Sequence, residues 1–163
     1  MFESDVDLTN FSTYGESGYT ITRLSNYTSI EDPGAGSDGR LVFRTFTNQR
    51  PGATLTNDNG DLFDVLSLDV DDYVTGSNPP RGFFIDASSG ASHRFTGTGP
   101  VDFSSLGGDW TNLSSLTFRY EGVSSTEVLS IDNIQLVTSV PEPASGLGVA
   151  LLTLAVFSRR RRR

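Results

Sequence analysis

The sequence contains no cysteine and no lysine, and its only histidine is His93. The absence of cysteine excludes a disulfide scaffold, a thiolate metal site and a thiol enzyme. With one histidine and no lysine, carboxylates and hydroxyls are almost the whole supply of groups for acid–base catalysis. These absences argue against an enzyme and make a binding or structural role the better hypothesis.

Charge is divided unevenly along the 163 residues. Residues 1–140 hold 7 Arg against 19 Asp and Glu, a net charge of −12, whereas residues 141–163 hold 5 Arg against Glu142, a net charge of +4. A body this acidic repels phosphate backbones, so nucleic-acid binding is excluded. Length and the change of composition predict one domain over residues 1–139 and an appendage over residues 140–163.

The body shows short runs in which apolar and polar side chains alternate, separated by Gly, Asn, Asp, Ser and Pro. This pattern predicts an all-β domain, because successive side chains of a strand point to opposite faces. One buried face per strand suits antiparallel strands packed as two sheets, a β-sandwich. The predicted strands are Phe2–Leu8, Tyr19–Leu24, Leu41–Phe46, Ala53–Thr56, Phe63–Val70, Gly82–Ala87, Ser92–Phe95, Leu116–Tyr120 and Val128–Val137.

Spacing also predicts which side chains lie inside and where the strands are irregular. Asp58-Asn59-Gly60 predicts a hairpin turn, because Asn and Gly tolerate positive φ. Ile131 and Ile134 are three apart, which predicts a β-bulge at Asp132-Asn133. The sets predicted to face the core, two residues apart, are Leu66, Leu68 and Val70 in one strand and Leu116, Phe118 and Tyr120 in another.

The appendage has three parts in a fixed order. Residues 140–145 form a connector stiffened by proline, residues 144–158 carry no charge, and five arginines end the chain. As a helix, fifteen residues span about 22 Å, a marginal length for a hydrocarbon core of roughly 30 Å. The arginines predict a cytoplasmic C-terminus and a body outside the cell. The residues of the predicted hydrophobic helix and its anchor are Leu147, Val149, Leu151, Leu152, Leu154, Val156, Phe157, Arg159, Arg160, Arg161, Arg162 and Arg163.

This order resembles the PEP-CTERM sorting signal of Gram-negative and related bacteria. The resemblance covers about 24 residues and implies that Pro141, Glu142 and Pro143 are the motif recognised by an exosortase. In that family the exosortase, a membrane protease-transpeptidase, cleaves near the motif and releases or re-attaches the protein outside. The family normally also has an N-terminal secretory signal, which residues 1–5 do not resemble. We therefore expect either a leader upstream of Met1 or a copy that is not exported.

The body has a looser resemblance to the jelly-roll domains, similar to carbohydrate-binding modules, that many proteins with this tail carry. The matching segments are residues 60–69, residues 110–118 and Ile131-Asp132-Asn133-Ile134. The resemblance implies a jelly-roll-like sandwich, and such modules commonly hold a structural Ca²⁺ between the first and last strands. That position would bring Glu3 or Asp5 near Asp132. The alternative is that Asp132 bonds its own backbone in a turn.

Two further candidate sites rest on residues that occur once in the sequence, Trp110 and His93. Trp110 is a candidate for stacking on a sugar ring, although tryptophan is more often a buried residue. A Ser–His–Asp arrangement can be written with His93, Ser88 or Ser89, and Asp86. However, the sequence has no Gly-x-Ser-x-Gly motif, and a polar hairpin explains residues 86–93 equally well.

The sequence therefore predicts an exported bacterial cell-surface or extracellular-matrix protein. Its body is expected to be non-catalytic and structural, adhesive or glycan-binding, with extracellular polysaccharide as a partner. Its tail is expected to engage the membrane and an exosortase-type transpeptidase. The alternative is a small extracellular enzyme that hydrolyses polysaccharides or esters. Beyond a structural Ca²⁺, no cofactor is expected.

Overall fold

A computed structural model describes residues 11–25, 27–31, 40–45, 50–74, 82–122 and 127–139. These residues form strands β1 to β11 and one 3-10 turn at Phe103–Ser105. All pairings between the strands are antiparallel. The strands are Thr13–Glu16, Tyr19–Arg23, Thr28–Glu31, Arg40–Arg44, Gly52–Asn57, Phe63–Val74, Gly82–Ala87, Ser92–Arg94, Gly99–Asp102, Leu116–Glu121 and Val128–Thr138.

The strands are divided between two sheets. The six-stranded sheet has the order β1-β2-β5-β10-β7-β8, and the five-stranded sheet has the order β3-β4-β11-β6-β9. From β4 onward the chain changes sheet at every connection except the β7–β8 hairpin. The inward faces of the two sheets enclose one core, so the predicted all-β sandwich is confirmed.

Aromatic side chains join the two sheets across the core. Phe43 of the five-stranded sheet meets Phe118 and Phe83 of the other sheet, with ring centroids 5.6 and 6.3 Å apart. Both contacts are tilted, an arrangement that aromatic rings prefer to face-to-face stacking. Leu116, Phe118 and Tyr120 are all buried, as their spacing predicts.

The predicted bulge in β11 is present. Asp132 lies opposite Asp69 and Gln135 lies opposite Ser67, so β11 has one residue more than β6 between these pairs. Asn133 takes a φ of 48°, a left-handed conformation in which asparagine is enriched. The extra residue allows apolar side chains three apart in sequence to lie on the same side of the strand.

Strand β6 has two bulges that the sequence analysis did not predict, one at Asp71, between the partners of Ser130 and Ile131, and one at Leu66. Gln135 and Leu136 are adjacent in β11, but their partners Ser67 and Val65 are separated in β6 by Leu66. Leu66 is consequently turned outward and is 46% exposed. The prediction that Leu66 faces the core is wrong, because one inserted residue reverses the faces of a strand.

The turn at Asp58-Asn59-Gly60 forms, but it does not close a hairpin. The Gly60 N–H donates to the carbonyl oxygen of Asn57 at 3.1 Å, and Gly60 has a φ of +76°. The strands that the turn joins, β5 and β6, belong to different sheets. The hairpin prediction is therefore wrong: local turn chemistry reverses the chain without deciding which strand becomes the partner.

Three observed strands, β1, β3 and β9, are absent from the predicted set. Each has four residues and lies at the edge of a sheet. Edge strands are often short and polar because this discourages pairing with other chains. Strand β9 also contains Pro100, which an edge position tolerates. The predicted strand Phe2–Leu8 lies outside the described residues.

The bulge at Leu66 predicts unequal effects for truncating Leu66 and Leu68. Leu68→Ala should lower the free energy of unfolding by about 2–5 kcal/mol, the usual cost of truncating a buried leucine. Leu66→Ala should cost less than about 1 kcal/mol, because a surface substitution leaves no cavity. Urea unfolding of both variants measures the difference, and equal losses would contradict the bulge at Leu66.

Candidate functional site

A row of polar side chains crosses the outward face of the six-stranded sheet. At one level of the register, each of the six strands contributes one member. We call this set the hydroxyl row. Its members, in order across the sheet, are Thr13, Thr22, Thr54, Thr117, Asp86 and Ser92.

The period of the strands places these side chains outward. Thr54, for example, lies between Ala53 and Leu55, which are both fully buried. Antiparallel pairing then brings outward side chains of adjacent strands within contact distance. The hydroxyl oxygens of Thr54 and Thr117 are 3.2 Å apart. Strand register therefore converts residues far apart in sequence into one continuous polar surface.

Arg119 organises the charged end of the hydroxyl row. Its guanidinium donates to both oxygens of Asp86 and also to Glu121, and the Ser92 hydroxyl donates to Asp86 Oδ1 at 2.6 Å. Burial alone would raise the pKa of Asp86, but the hydrogen bonds from Arg119 and Ser92 and the Arg119 charge outweigh it and lower that pKa. The bond to Asp86 in turn raises the pKa of Arg119. Both partners are thus charged at neutral pH.

A second outward level places an aromatic ring beside the hydroxyl row. Gly52, Arg119, Phe84 and Arg94 are neighbours across β5, β10, β7 and β8. The guanidinium carbons of Arg119 and Arg94 lie 4.6 and 6.0 Å from the centroid of the Phe84 ring. These are cation–π distances, and they fix the orientation of a half-buried ring.

The glycine at this level leaves room for a cleft. A Cβ atom on Gly52 would lie 3.0 Å from the carbonyl oxygen of Phe118, so a larger residue fits poorly there. The cleft above Gly52 has a volume of about 420 Å³, and its lining includes Leu24, Arg50 and Arg119. Because Arg119 borders both features, the cleft continues the hydroxyl row at the second level.

This surface offers donors, acceptors and an aromatic ring, but its groups are already paired with one another. Hydroxyls both donate and accept, carboxylates accept, and guanidinium groups donate in a planar fork. Such a set suits a ligand that carries many hydroxyl groups. It supplies no free acid and base at the spacing needed for proton transfer to a bound ligand.

The structure does not bring the residues of the suggested triad together. Ser92, which precedes His93, pairs with Asp86 on the outward face, so His93 points to the opposite face and packs edge-on against Phe95, with centroids 5.7 Å apart. The Ser88 hydroxyl accepts the backbone N–H of Ser114 at 2.9 Å. Burial lowers the pKa of His93. Residues 86–93 form the polar hairpin that was the alternative interpretation.

Trp110 is a core residue. It is 3% exposed, its ring packs 4.6 Å from that of Phe103, and its Nε1–H donates to the carbonyl oxygen of Gly107 at 3.4 Å. A ring buried to this extent has no free face for a sugar. The stacking role suggested for Trp110 is therefore corrected, and Phe84 is the aromatic ring that lies at the candidate surface.

Asp132 lies in the bulge, as predicted. Asp132 Oδ1 accepts the backbone N–H of Asn133 at 2.6 Å, and Asn133 Nδ2 donates to Asp69 Oδ2 at 3.0 Å. The other suggested calcium ligands, Glu3 and Asp5, lie outside the described residues. Within the described ranges, no group of three or more His, Cys, Asp or Glu side chains could hold a metal ion. Calcium binding stays a prediction.

The sorting motif Pro141-Glu142-Pro143, the apolar segment and the arginine cluster also lie outside the described residues. Among residues 11–139, as far as they are described, no helix is long and apolar enough to cross a membrane. The predicted C-terminal helix therefore stays a prediction.

Sequence reasoning did not find the hydroxyl row. The signal was present, because threonine occupies the polar positions of three strands that were predicted, β2, β5 and β10. What one sequence does not contain is the strand order. Without it, Thr22, Thr54 and Thr117 are unrelated residues rather than neighbours.

Comparisons with known proteins gave a distant similarity to a solved structure. No protein-family model matches the chain, and no curated protein matches it. A structure of a family 11 carbohydrate-binding module from Clostridium thermocellum, in complex with a β-1,3-1,4-mixed-linked tetrasaccharide, is similar with a TM-score of 0.42 and 17% sequence identity. The similarity covers 83% of this chain and 98% of that chain. A likeness at this level leaves the ligand of the present chain open.

The Asp86–Arg119 pair predicts a pH-dependent effect of Asp86→Asn. The folded-state pKa of Asp86 is lowered, so its stabilisation is fully present above the unfolded pKa of about 3.9 and is lost as pH falls through the folded value. The difference in free energy of unfolding between the protein and Asp86→Asn should be constant above about pH 5 and shrink below about pH 4.

Urea unfolding over a pH series measures this difference. Thr98→Val, a substitution in an exposed loop that removes no titrating group, serves as the control. A difference for Asp86→Asn that persists unchanged at the most acidic pH would contradict the pairing.

Calcium binding predicts a thermal shift. An ion that binds only the folded state adds about 2.7 kcal/mol at a hundredfold excess over its Kd, or about 5–10 °C in Tm for a domain of this size. Asp132→Asn should remove most of that shift, and Mg²⁺ should substitute poorly because it dehydrates reluctantly. Equal Tm values in Ca²⁺ and in chelator would contradict calcium binding at Asp132.

Proposed function

We propose that residues 1–139 form a non-catalytic, jelly-roll-like domain that binds glycans on the outward face of its six-stranded sheet. The observation that carries this proposal is the hydroxyl row together with the adjoining Phe84 and Gly52 cleft. Sugars present neighbouring hydroxyls and patches of C–H groups. The neighbouring hydroxyls of a sugar suit planar charged groups such as Asp86 and Arg119. Its patches of C–H groups suit an aromatic ring such as Phe84.

The extent of the hydroxyl row favours a polymer over a single sugar. Six strands spaced about 4.8 Å apart give a row of about 24 Å. A monosaccharide would contact only a small part of that length. The net charge of −12 on residues 1–140 disfavours acidic polysaccharides, so we expect a neutral glycan chain.

The strand order supports the jelly-roll description. A jelly roll consists of eight strands folded as two Greek keys into two sheets. In β4 to β11, the outermost pair in sequence, β4 and β11, lies together, and so do β5 with β10, β6 with β9 and β7 with β8. This nested pairing supports a jelly-roll-like arrangement, with β1, β2 and β3 added at the edges.

The tail supports a location outside the cell. Its order of Pro141-Glu142-Pro143, apolar segment and arginine cluster resembles that of exosortase-sorted proteins. We therefore include export, membrane anchoring and processing by an exosortase-type enzyme in the proposal. Cell fractionation with and without residues 140–163 tests it. Among the described residues, no specific observation favours the alternative of an extracellular hydrolase.

Removing two hydroxyls from the centre of the row should weaken glycan binding. Thr54→Val combined with Thr117→Val keeps the β-branched shape and deletes two hydrogen-bonding groups worth about 0.5–1.5 kcal/mol each. Affinity should therefore fall by about fivefold to 150-fold. Affinity electrophoresis in gels that contain β-glucan, xylan, mannan or alginate measures it.

Thr98→Val is the matched control, because Thr98 is an exposed threonine in the β8–β9 loop, away from the row. It should leave the affinity unchanged. Retardation by none of the neutral polysaccharides, or an equal loss in the control, would refute the proposed binding face.

A further inference from the structure

The described domain ends beside a cluster of exposed apolar side chains. Leu62, Leu66 and Val137 are 43%, 46% and 49% exposed. They lie close together because Val137 pairs with Asp64, which is midway between the two leucines. We call these three side chains the exit patch, since Ser139 follows directly and donates its N–H to the carbonyl oxygen of Leu62 at 2.8 Å.

A cleft of about 400 Å³ adjoins the exit patch at Leu66. Strand β6 changes neighbour at the bulge at Leu66, and the cleft lies there. Strand β9 pairs with Ser67–Val70, whereas Val65 donates its N–H to the carbonyl oxygen of Trp110 at 3.0 Å. The cleft lies between these two neighbours, and Phe103 and Trp110 are among the residues that line it.

Three carboxylates line this cleft: Asp64, Asp102 and Asp109. Hydrogen bonds from Ser104 hold the pKa of Asp102 below its ordinary value, and those from Thr111 do the same for Asp109. In the part of the chain that the structure describes, none of the three forms an ion pair with an arginine. An apolar surface with an uncompensated acidic border suits a ligand that is both apolar and cationic.

We propose that the exit patch and the cleft bind the C-terminal segment of the same chain, residues 147–157 with Arg159–Arg163, until a membrane takes that segment up. The segment has the required chemistry, an uncharged apolar run followed by five arginines. It is also tethered in the right place. Residues 140–146 start at the exit patch and reach at most about 25 Å when extended, enough to place the segment on either feature.

Charge favours the C-terminal segment over two other occupants of this surface, a lipid bilayer and a second copy of the body. An acidic border repels anionic lipid headgroups, so the bilayer surface itself is disfavoured at this patch. A second copy of the body brings the same negative charge to the contact. Three partly exposed side chains bury little area, so the contact is reversible, and a bilayer, which can bury the whole apolar segment, takes it away.

Photocrosslinking of the full chain tests the proposal. Phe157→p-benzoylphenylalanine, irradiated in buffer without membranes or detergent, should crosslink within one molecule to residues 62–66, Trp110 and Val137, as mapped by mass spectrometry. The combined variant Leu62→Ser, Leu66→Ser should reduce these crosslinks about tenfold, because it removes most of the apolar contact.

Two controls make the outcome decisive. Leu24→Ser changes a leucine that is 58% exposed on the other sheet and should leave the crosslinks unchanged. Replacing Arg159–Arg163 with serine leaves the body intact and should also weaken them, as should high salt. Crosslinks that are spread over the body, occur only in dimers, or persist in the double leucine variant would overturn the proposal. None of these results depends on glycan binding.

Discussion

Strands β6 and β11 form the pair to which the rest of the five-stranded sheet is attached. Strand β4 joins the sheet through β11, and β9 joins it through β6. These are also the two longest strands, with 12 and 11 residues, and they remain paired along their length only by means of bulges. Each bulge reverses which side chains face the core, so their positions decide what the outer surface of this sheet displays.

The strands of the six-stranded sheet, by contrast, pair regularly. Its pairings carry no register shift, so the same outward positions line up from strand to strand. Regular register is what turns Thr54, Thr117 and Asp86 into a continuous row. Arg119 then pairs with both Asp86 and Glu121, which reduces the negative charge of this face on an acidic body.

Sequence periodicity was sufficient for the class of fold and for most of the central strands. Strands with one clean apolar face, such as Leu116–Glu121, were found because burial dictates their pattern. The short edge strands were missed, because an edge strand can form with few apolar residues and its sequence pattern is therefore weak. Leu66 was placed on the wrong face because its spacing is regular in the sequence, and only the partner strand creates the bulge.

The candidate site was less predictable than the fold for a related reason. Trp110 and His93 were singled out for being rare in composition, yet rarity says nothing of exposure, and Trp110 is buried and His93 is half-buried with its ring against Phe95. The hydroxyl row consists of common residues whose importance lies in strand order. Residues whose role depends on their neighbours across a sheet cannot be identified until the strand order is known.

The two proposed surfaces lie on opposite sides of the sandwich, and this arrangement has a consequence for anchoring. The chain leaves the domain at Ser139, on β11 of the five-stranded sheet, beside Leu62. If the tail is anchored in a membrane, as proposed, the hydroxyl row lies on the other sheet, away from the point where the chain leaves the domain. Glycan binding and tail docking consequently do not compete for residues, and Arg119 and Phe84 stay accessible whether the C-terminal segment is docked, inserted or cleaved.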